Sequence, residues 1–219
     1  MQGPSDSFTI KSIFSRERSS SLLSALALLA VAYIVEYSAS VYASNYSQRP
    51  TYNYVGDLIL DVIPVVDLSF IIIEVGLAAI VLGTWFVFSR PRYILFTLKT
   101  VALFVIIRAF FISLTHIGIH PDGITPGLGF FDAVYSYLKL QTGLFFSGHT
   151  GLPILMGLIF WHKPSIRYAF FSLAFVFAVS VLLAHVHYSI DVFAAPFMAY
   201  GIFKISQHLF SRDYELIGK

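Results

Sequence analysis

The chain has 219 residues, of which 57% are hydrophobic and only 12% are charged, against about 25% charged residues in an average soluble domain. So much apolar side chain excludes a water-soluble globule and an intrinsically disordered chain. The net charge of +2 gives no support to nucleic-acid binding, and the absence of cysteine excludes disulfides, thiolate metal sites and cysteine nucleophiles. The composition therefore predicts an integral membrane protein.

Apolar stretches recur along the chain at lengths that suit a membrane-spanning helix, which needs about 20 residues. We expect an all-α bundle of six transmembrane helices, at residues 21–44, 66–88, 93–115, 147–161, 166–186 and 190–210. The connection between the third and fourth spans is long and contains several Pro and Gly residues. Within it, residues 130–140 are predicted to form a helix at the outer interface, because Tyr135 and Tyr137 suit the headgroup level.

The positive charges predict the orientation of the spans, because Lys and Arg collect in cytoplasmic loops. Ten of the 14 lie on the side of both termini, the opposite loops hold Arg49 and Lys139, and span three contains Lys99 and Arg108. Lys99 is nearer the inside and is expected to extend its ammonium to that interface. The chain then divides into a cytoplasmic N-terminal segment at 1–20, a six-span membrane domain at 21–210 and a cytoplasmic tail at 211–219.

The first apolar stretch has two interpretations. Its basic start, its apolar centre and the small residues near position 43 fit a cleaved signal peptide. The stretch nevertheless continues past Glu36, which favours an uncleaved signal anchor. Cleavage would leave the topology of the remaining spans unchanged.

Polar residues from distant parts of the sequence converge on the outer half of the predicted bundle. The motif Ser147-Gly148-His149-Thr150 begins the fourth span, and His187-Tyr188-Ser189-Ile190-Asp191 joins the fifth span to the sixth. Arg108 lies about 22 Å along span three, at 1.5 Å per residue. The acidic residues of the first two spans fall at a similar depth: Glu36, Asp67 and Glu74. Charges inside a membrane are costly and rare, so residues that share one depth are candidates for one functional site.

Two histidines and an aspartate in this set have the properties of a nucleophilic site. The spacing of four residues lets Asp191 hydrogen-bond one nitrogen of His187, so that the other nitrogen becomes a nucleophile. His149, on another helix, is placed to act as general acid and base. These three residues predict a phosphoryl-transfer site that needs neither a metal ion nor another cofactor.

The other members of the set are candidate substrate-binding residues. A helix start favours a phosphate anion, and we expect phosphate contacts from Ser147, Gly148 and Thr150. Arg108 would add a planar cationic fork for the phosphoryl oxygens, or would only neutralise a buried acidic residue. Two roles are also open for Tyr188, which would bond the phosphate or anchor the interface. The acidic residues would attract a choline or ethanolamine ammonium, or would serve as structural partners: Glu36, Glu74 and Asp67.

These motifs resemble those of the sphingomyelin synthase-related branch of the type 2 phosphatidic acid phosphatase superfamily. That family has S-G-H-T followed by H-Y-[ST]-x-D-V, which residues 147–150 and 187–192 match. Asp57 and Asp61 are similar to the acidic end of its P-P-L-P-D element, and Arg108 with Thr115 is similar to its R-x6-T. The resemblance implies six spans, a non-cytoplasmic site and a triad formed by His149, His187 and Asp191. It also implies transfer of a phospho-headgroup between lipids.

Departures from the family pattern leave the substrates open. The positions of the C-G-D element are occupied by Gln141-Thr142-Gly143, and Val181 replaces the second arginine of the phosphatase branch. We expect a glycerophospholipid donor and a lipid acceptor such as ceramide. A lipid phosphate phosphatase or phospholipase C-like hydrolase of the same superfamily is the runner-up, and a transporter is the alternative from another class. The expected partners are membrane phospholipids, the acceptor lipid and the bilayer, with no prediction of oligomeric state.

Overall fold

The computed structural model describes residues 9–47, 54–114, 117–124 and 144–218. Within these residues the regular secondary structure is helical, which confirms the all-α prediction for them. Each of the six predicted apolar stretches contains a helix. In chain order the helices are α1 (Ile10–Ile13), α2 (Ser19–Ser47), a π-helical segment (Ile71–Val75) that continues into α3 (Gly76–Phe88), α4 (Pro91–Leu114), α5 (Gly148–Ile159), α6 (Pro164–Leu183), α7 (Ser189–Leu209) and α8 (Ser211–Tyr214).

Four of these helices are long and apolar enough to cross a membrane, namely α2, α3 with the π-helical segment, α4 and α6. α5 has 12 residues. At 1.5 Å per residue it is about 18 Å long, too short to cross a hydrocarbon core of about 30 Å unaided. α7 is long enough but is not one of the four, and Asp191 and Lys204 reduce its apolar content. The described residues therefore support a membrane protein but not the number of six spans, and the interface helix expected at 130–140 lies outside them.

The surface of the bundle is apolar, as expected of a protein that lies in lipid. Phe197 and Phe175, for example, are 79% and 71% exposed. On α2 the buried positions include Ala25, Ala32 and Ala39, which recur every seven residues, whereas large neighbouring side chains are exposed. Small side chains on this face let α2 pack closely along α4.

Aromatic rings fill the core between α4, α5 and α7. Phe96, Phe146 and Phe160 are fully buried there. Phe160, at the end of α5, stacks on Tyr93 of α4 with ring centroids 4.7 Å apart. α5 packs against both α6 and α7, and this packing places its first turn beside the start of α7.

The long helices alternate in direction, so the polar residues separate into two ends of the bundle. The histidine end contains Glu36 of α2, Arg108 of α4, the starts of α5 and α7, and the connection at 184–188. The lysine end contains the starts of α2 and α4, the end of α7, and α8. Backbone bonds fasten the loops of the histidine end: Val66 donates to the Leu183 carbonyl at 2.8 Å, and Ile124 donates to the Ala184 carbonyl at 2.9 Å.

A buried ion pair closes the lysine end. The Lys99 ammonium lies 2.6 Å from the Asp213 carboxylate and 2.8 Å from the Ser21 hydroxyl, which in turn donates to Asp213. Lys99 and Asp213 are only 6% and 5% exposed. The expectation that Lys99 extends its ammonium to the membrane interface is therefore wrong. The C-terminal tail folds over the ammonium and supplies a buried carboxylate as its partner. With Ile217 also buried in the core, the tail packs as part of the bundle.

Candidate active site

The predicted contact between His187 and Asp191 forms just before and within the first turn of α7. Asp191 is the third residue of this helix and is fully buried. Its Oδ2 accepts the backbone N–H of Tyr188 at 3.0 Å and lies 3.3 Å from Nδ1 of His187. The carboxylate thus orients the imidazole through Nδ1. Nε2 is the nitrogen that does not contact Asp191. The pair depends on the cap of α7, because His187 precedes the helix.

The start of α5 is joined directly to the start of α7. The Ser147 backbone N–H donates to the Asp191 carbonyl at 3.0 Å, while the Ser147 hydroxyl caps α5 by accepting the N–H of Thr150 at 3.4 Å. Gly148 is the first residue of α5. Two helix N-termini therefore meet, and each carries a partial positive charge from its backbone dipoles.

His149 completes the predicted triad in space. It lies in the first turn of α5 and is partly buried, with its ring centroid 6.3 Å from that of His187 and 6.0 Å from that of Phe177. Residues separated by almost 40 positions in the chain thus face one small volume. Both imidazoles are close enough to contact one phosphoryl group.

Arg108 reaches this volume from α4 and has partners on two other segments. Its Nε donates to the Phe146 carbonyl at 3.0 Å, and its Nη1 donates to Glu36 of α2 at 2.9 Å. A Cβ atom at Gly148 would lie 3.3 Å from the Arg108 Nε, so the lack of a side chain there gives the guanidinium room against the helix start. Of the two acidic partners considered for Arg108, the structure pairs it with Glu36.

Three buried oxygens of this site have no hydrogen-bond partner among the described residues. They are Asp191 Oδ1 in the first turn of α7, Thr150 Oγ1 in the first turn of α5 and Oε2 of Glu36, the partner of Arg108. Buried polar atoms in folded proteins are almost always hydrogen-bonded. Oxygens left in this state are therefore positions at which a bound ligand or water would supply the missing donor.

Asp57 supports the site from the loop before the π-helical segment. Its Oδ2 accepts the Ser189 N–H at 2.6 Å, at the first residue of α7, and its Oδ1 accepts the N–H groups of Ile59 and Leu60 at 2.9 and 3.2 Å. Burial alone would raise the pKa of the Asp57 carboxyl, but these backbone N–H groups outweigh that effect and lower the pKa. The ionised carboxylate thus holds the start of α7 in place.

Tyr188 uses its hydroxyl to fasten two loops. It donates to the Gly118 carbonyl at 2.9 Å, and the Val55 N–H lies 3.3 Å from the same oxygen. The side chain is 97% buried, with 3% exposure. Such burial does not fit a side chain that anchors the membrane interface, and a phosphate contact stays a prediction.

Two of the predicted binding residues, Asp67 and Glu74, are not bonded to the triad in the described part of the chain. Asp67 is exposed, and its carboxylate accepts the backbone N–H and the hydroxyl of Ser69 at 2.9 and 2.6 Å. Glu74 lies in the π-helical segment and is partly buried. In the described part of the chain, no hydrogen bond or ion pair joins either residue to His149, His187 or Arg108. Their proposed contact with a headgroup stays a prediction.

Several contacts that shape this end of the bundle could not be predicted from local sequence patterns. Asp57 accepts from residues two and three positions ahead, which is a recognisable local turn pattern, but its bond to Ser189 is long-range. His120 and His185 also meet, with ring centroids 4.8 Å apart. His116, four positions before His120, lies outside the described residues.

Comparison of the chain with protein-family models and with curated proteins finds no match. The chemical interpretation of the site therefore depends on its geometry. That geometry combines an oriented imidazole, a second imidazole, two helix N-termini and a guanidinium within one end of a membrane protein.

Proposed function

We propose that the protein is a lipid phosphotransferase that moves a phospho-headgroup from a glycerophospholipid to an acceptor hydroxyl, such as that of ceramide, through a phosphohistidine. The observation that carries this proposal is the contact between His187 and Asp191 at 3.3 Å beside the ring of His149. An imidazole oriented by a carboxylate is a nucleophile, and a second imidazole nearby can carry the proton that the reaction moves.

In the first step, Nε2 of His187 attacks the phosphorus of the donor phosphodiester. The bond from phosphorus to the diacylglycerol oxygen breaks, and protonated His149 gives its proton to that oxygen. Asp191 accepts a hydrogen bond from Nδ1 of His187 and stabilises the positive charge that develops on the ring. The products of this step are diacylglycerol and a phosphohistidine that carries the headgroup.

In the second step, neutral His149 accepts the proton of the acceptor hydroxyl, whose oxygen attacks phosphorus. The bond from phosphorus to Nε2 breaks, and His187 returns to its starting state. With ceramide as the acceptor, the product is a sphingophospholipid. With water, the same two steps make the protein a lipid phosphatase or a phospholipase C-like hydrolase.

The surroundings of the histidines favour a singly charged phosphodiester. The N-termini of α5 and α7 supply partial positive charge, and Arg108 supplies one permanent charge that Glu36 partly neutralises at 2.9 Å. A phosphomonoester approaches two negative charges near neutral pH, because its second pKa is about 6. The diester requires less compensating charge, which supports transfer of a headgroup over hydrolysis of a phosphate monoester.

The assay that tests this function compares two reactions of the purified chain in lipid nanodiscs. Headgroup transfer from phosphatidylcholine or phosphatidylethanolamine to labelled ceramide measures the transferase, and phosphate release from phosphatidic acid measures the phosphatase. His187→Ala should abolish turnover and the acid-labile phosphohistidine. His162→Ala is the matched control, because it removes an exposed histidine at the opposite end of the bundle. Full turnover in His187→Ala would sink the mechanism.

We also propose that the histidine end faces the outer or luminal side of the membrane. The loops of the lysine end are rich in Lys and Arg, as cytoplasmic loops are. Cysteines introduced at Leu58, which is 87% exposed, and at Ser165, an exposed residue in the first turn of α6, should react with an impermeant thiol reagent from opposite sides. Since the chain has no cysteine, the background is clean. Labelling of both from one side would contradict this orientation.

A further inference from the structure

A polar cavity lies beside the candidate active site and takes no part in the proposed reaction. It has a volume of about 350 Å³ and is lined by residues of three connections, among them Tyr54, Asp61, His120, Asp122 and His185. His185 stands two residues before His187, but its ring packs edge-on against His120 with centroids 4.8 Å apart. The connection at 184–188 therefore has one histidine at each of two neighbouring sites.

The backbone holds His185 in an unusual conformation. Its φ of 53° lies in the left-handed region, which side chains other than Gly adopt infrequently. The loop at 117–124 presses against this turn: a Cβ atom on Gly123 would lie 2.7 Å from the His185 carbonyl and 2.9 Å from the His120 carbonyl. Glycine at 123 is thus required for the approach of the two connections that form the cavity.

The imidazole of His185 is the group that indicates a ligand. The residue is 3% exposed, and neither of its ring nitrogens makes a hydrogen bond of good geometry with a described residue, although the Ile63 backbone lies beside the ring. Burial and the neighbouring His120 hold the pKa of His185 below its ordinary value, so that the ring is neutral near pH 7. A neutral imidazole presents one donor and one acceptor. The Ile63 backbone is the neighbour that can take the donor, which leaves the acceptor nitrogen for a ligand.

The charge of the cavity favours a cation as the ligand. Asp61 and Asp122 are exposed carboxylates on its lining, and no Lys or Arg is among the described residues that line it. A metal ion is a poor fit, because the described residues contain no cluster of three His, Asp or Glu that could hold one. The volume also exceeds what a single ion would fill, and suits a small organic cation.

We propose that this cavity binds a primary ammonium group of about the size of ethanolamine. A primary ammonium can donate N–H to the unpartnered nitrogen of His185 while its charge is balanced by Asp61 and Asp122. A quaternary ammonium has no N–H to donate, and it prefers a cage of several aromatic rings, whereas Tyr54 is the only Phe, Tyr or Trp among the described lining residues. The ammonium could come from a lipid headgroup or from a free amine.

Binding to the purified chain of 219 residues in detergent tests this assignment without any need for turnover, so failure of the proposed phosphotransfer would leave it standing. Radiolabelled ethanolamine in equilibrium dialysis is the free probe. Nanodiscs of phosphatidylethanolamine, with phosphatidylcholine discs for comparison, are the lipid probe, and protection against unfolding is the readout. We expect saturable binding of at least one probe and at least about tenfold weaker competition by choline, which corresponds to about 1.4 kcal/mol.

Variants locate the binding. Asp61→Asn combined with Asp122→Asn should weaken it at least about tenfold, and both positions are exposed, so the fold should persist. His185→Asn should also weaken it, because Asn tolerates the left-handed conformation but withdraws the ring nitrogens. Glu215→Gln, which removes an exposed carboxylate at the lysine end, is the matched control and should bind as the native chain does.

The two probes distinguish the sources of the ammonium. Binding of phosphatidylethanolamine without binding of free ethanolamine identifies a lipid headgroup, and binding of ethanolamine alone identifies a soluble amine. The proposal is overturned by the absence of binding of both probes, by equal affinity for choline, or by unchanged binding in the double aspartate variant. Tight binding of zinc to the same residues, with displacement of ethanolamine, would also overturn it.

Discussion

The two ends of the bundle bury charged residues in opposite ways. At the lysine end, Lys99, Asp213 and Ser21 form a closed set with separations of 2.6 to 2.9 Å, and both carboxylate oxygens of Asp213 have a donor. At the histidine end, the contact between His187 and Asp191 is longer, at 3.3 Å. There Asp191 Oδ1 and Glu36 Oε2 are buried without a partner among the described residues.

This difference is the one expected between charges that stabilise the fold and charges that take part in the proposed reaction. A buried ion pair is tolerated when its geometry is good and its polar atoms are satisfied, and the set of Lys99, Asp213 and Ser21 meets that condition. The buried oxygens without a partner near this end are neutral hydroxyls, those of Thr97, Thr100 and Ser206, whereas those at the histidine end include two carboxylate oxygens. The histidine end keeps unsatisfied oxygens next to two helix N-termini, which is costly unless something binds there. We therefore expect substitutions at the lysine end to change stability and substitutions at the histidine end to change activity.

The largest expected effect comes from removing one charge of the histidine pair. Asp191→Asn keeps an oxygen for the Tyr188 N–H, so the start of α7 should persist. The amide no longer fixes His187 in the reactive tautomer, and in a comparable triad that loss lowers the rate by about 10⁴-fold. We expect a drop of about 10³- to 10⁴-fold in headgroup transfer with a nearly unchanged melting temperature in detergent. The matched variant Asp213→Asn should show the reverse pattern, and similar activity losses in both variants would contradict the comparison.

The next largest effect is on stability at the lysine end. Lys99→Met leaves the Asp213 carboxylate buried without its ammonium partner, and breaking a buried pair in this way costs about 3–5 kcal/mol. Replacing both charges, as in Lys99→Met with Asp213→Leu, should restore most of the lost stability. Thermal unfolding of the three variants in detergent measures this. A double variant as unstable as the single one would show that the pair is not the source of the stability.

A third test concerns Arg108, whose pairing with Glu36 permits both roles considered for it. If the guanidinium also grips the phosphoryl group, Arg108→Lys should slow transfer about a hundredfold, since one lost charge-stabilising contact can cost about 3 kcal/mol. Stability should change little, because a lysine still neutralises Glu36. Near-native activity in Arg108→Lys, together with rescue of Arg108→Ala by Glu36→Ala, would instead assign Arg108 a structural role.

The sequence predicted the helices well because each depends on local pattern. The apolar stretches predicted five helices within three residues of their observed bounds, and the remaining stretch, 66–88, begins five residues before the π-helical segment at Ile71. Charge and depth also indicated that Arg108 would pair with an acidic residue, and the structure selects Glu36. The same reasoning included Asp67 and Glu74, which no hydrogen bond or ion pair among the described residues joins to the triad. The spacing of His187 and Asp191 predicted their contact, although the helix begins only after His187.

Contacts between distant loops could not be predicted in the same way. Lys99 has an ordinary position for a snorkelling lysine, and nothing in its own segment indicates that Asp213 folds back more than 100 residues later to meet it. The same applies to Asp57 with Ser189 and to His120 with His185. Hydropathy also could not establish whether α5 crosses the membrane. With 12 residues the helix is too short for its length to decide, and its position depends on packing against neighbouring helices.

The smallest expected effect tests a charge that supports the histidine end from outside it. Asp57 accepts three backbone N–H groups, including that of Ser189 at the start of α7, and the loss of such a helix-capping carboxylate costs about 1 kcal/mol. Asp57→Asn should therefore lower the stability of the native fold by about that amount at neutral pH. It should lower activity only slightly, since the triad itself is unchanged.

The pH dependence distinguishes this charge from a neutral cap. Because the pKa of Asp57 is lowered on folding, the unfolded chain binds more protons in that range, so the stabilisation is fully present above the ordinary Asp value of about 3.9. It is lost as the pH falls through the lower pKa of the folded state. Melting temperatures of the native chain and of Asp57→Asn, measured from pH 6 down to pH 3, should therefore converge at the acid end. The other carboxylates titrate in both proteins, so their contribution cancels in the difference between the two melting curves. A difference that stays constant across this range would show that Asp57 stabilises α7 without its charge.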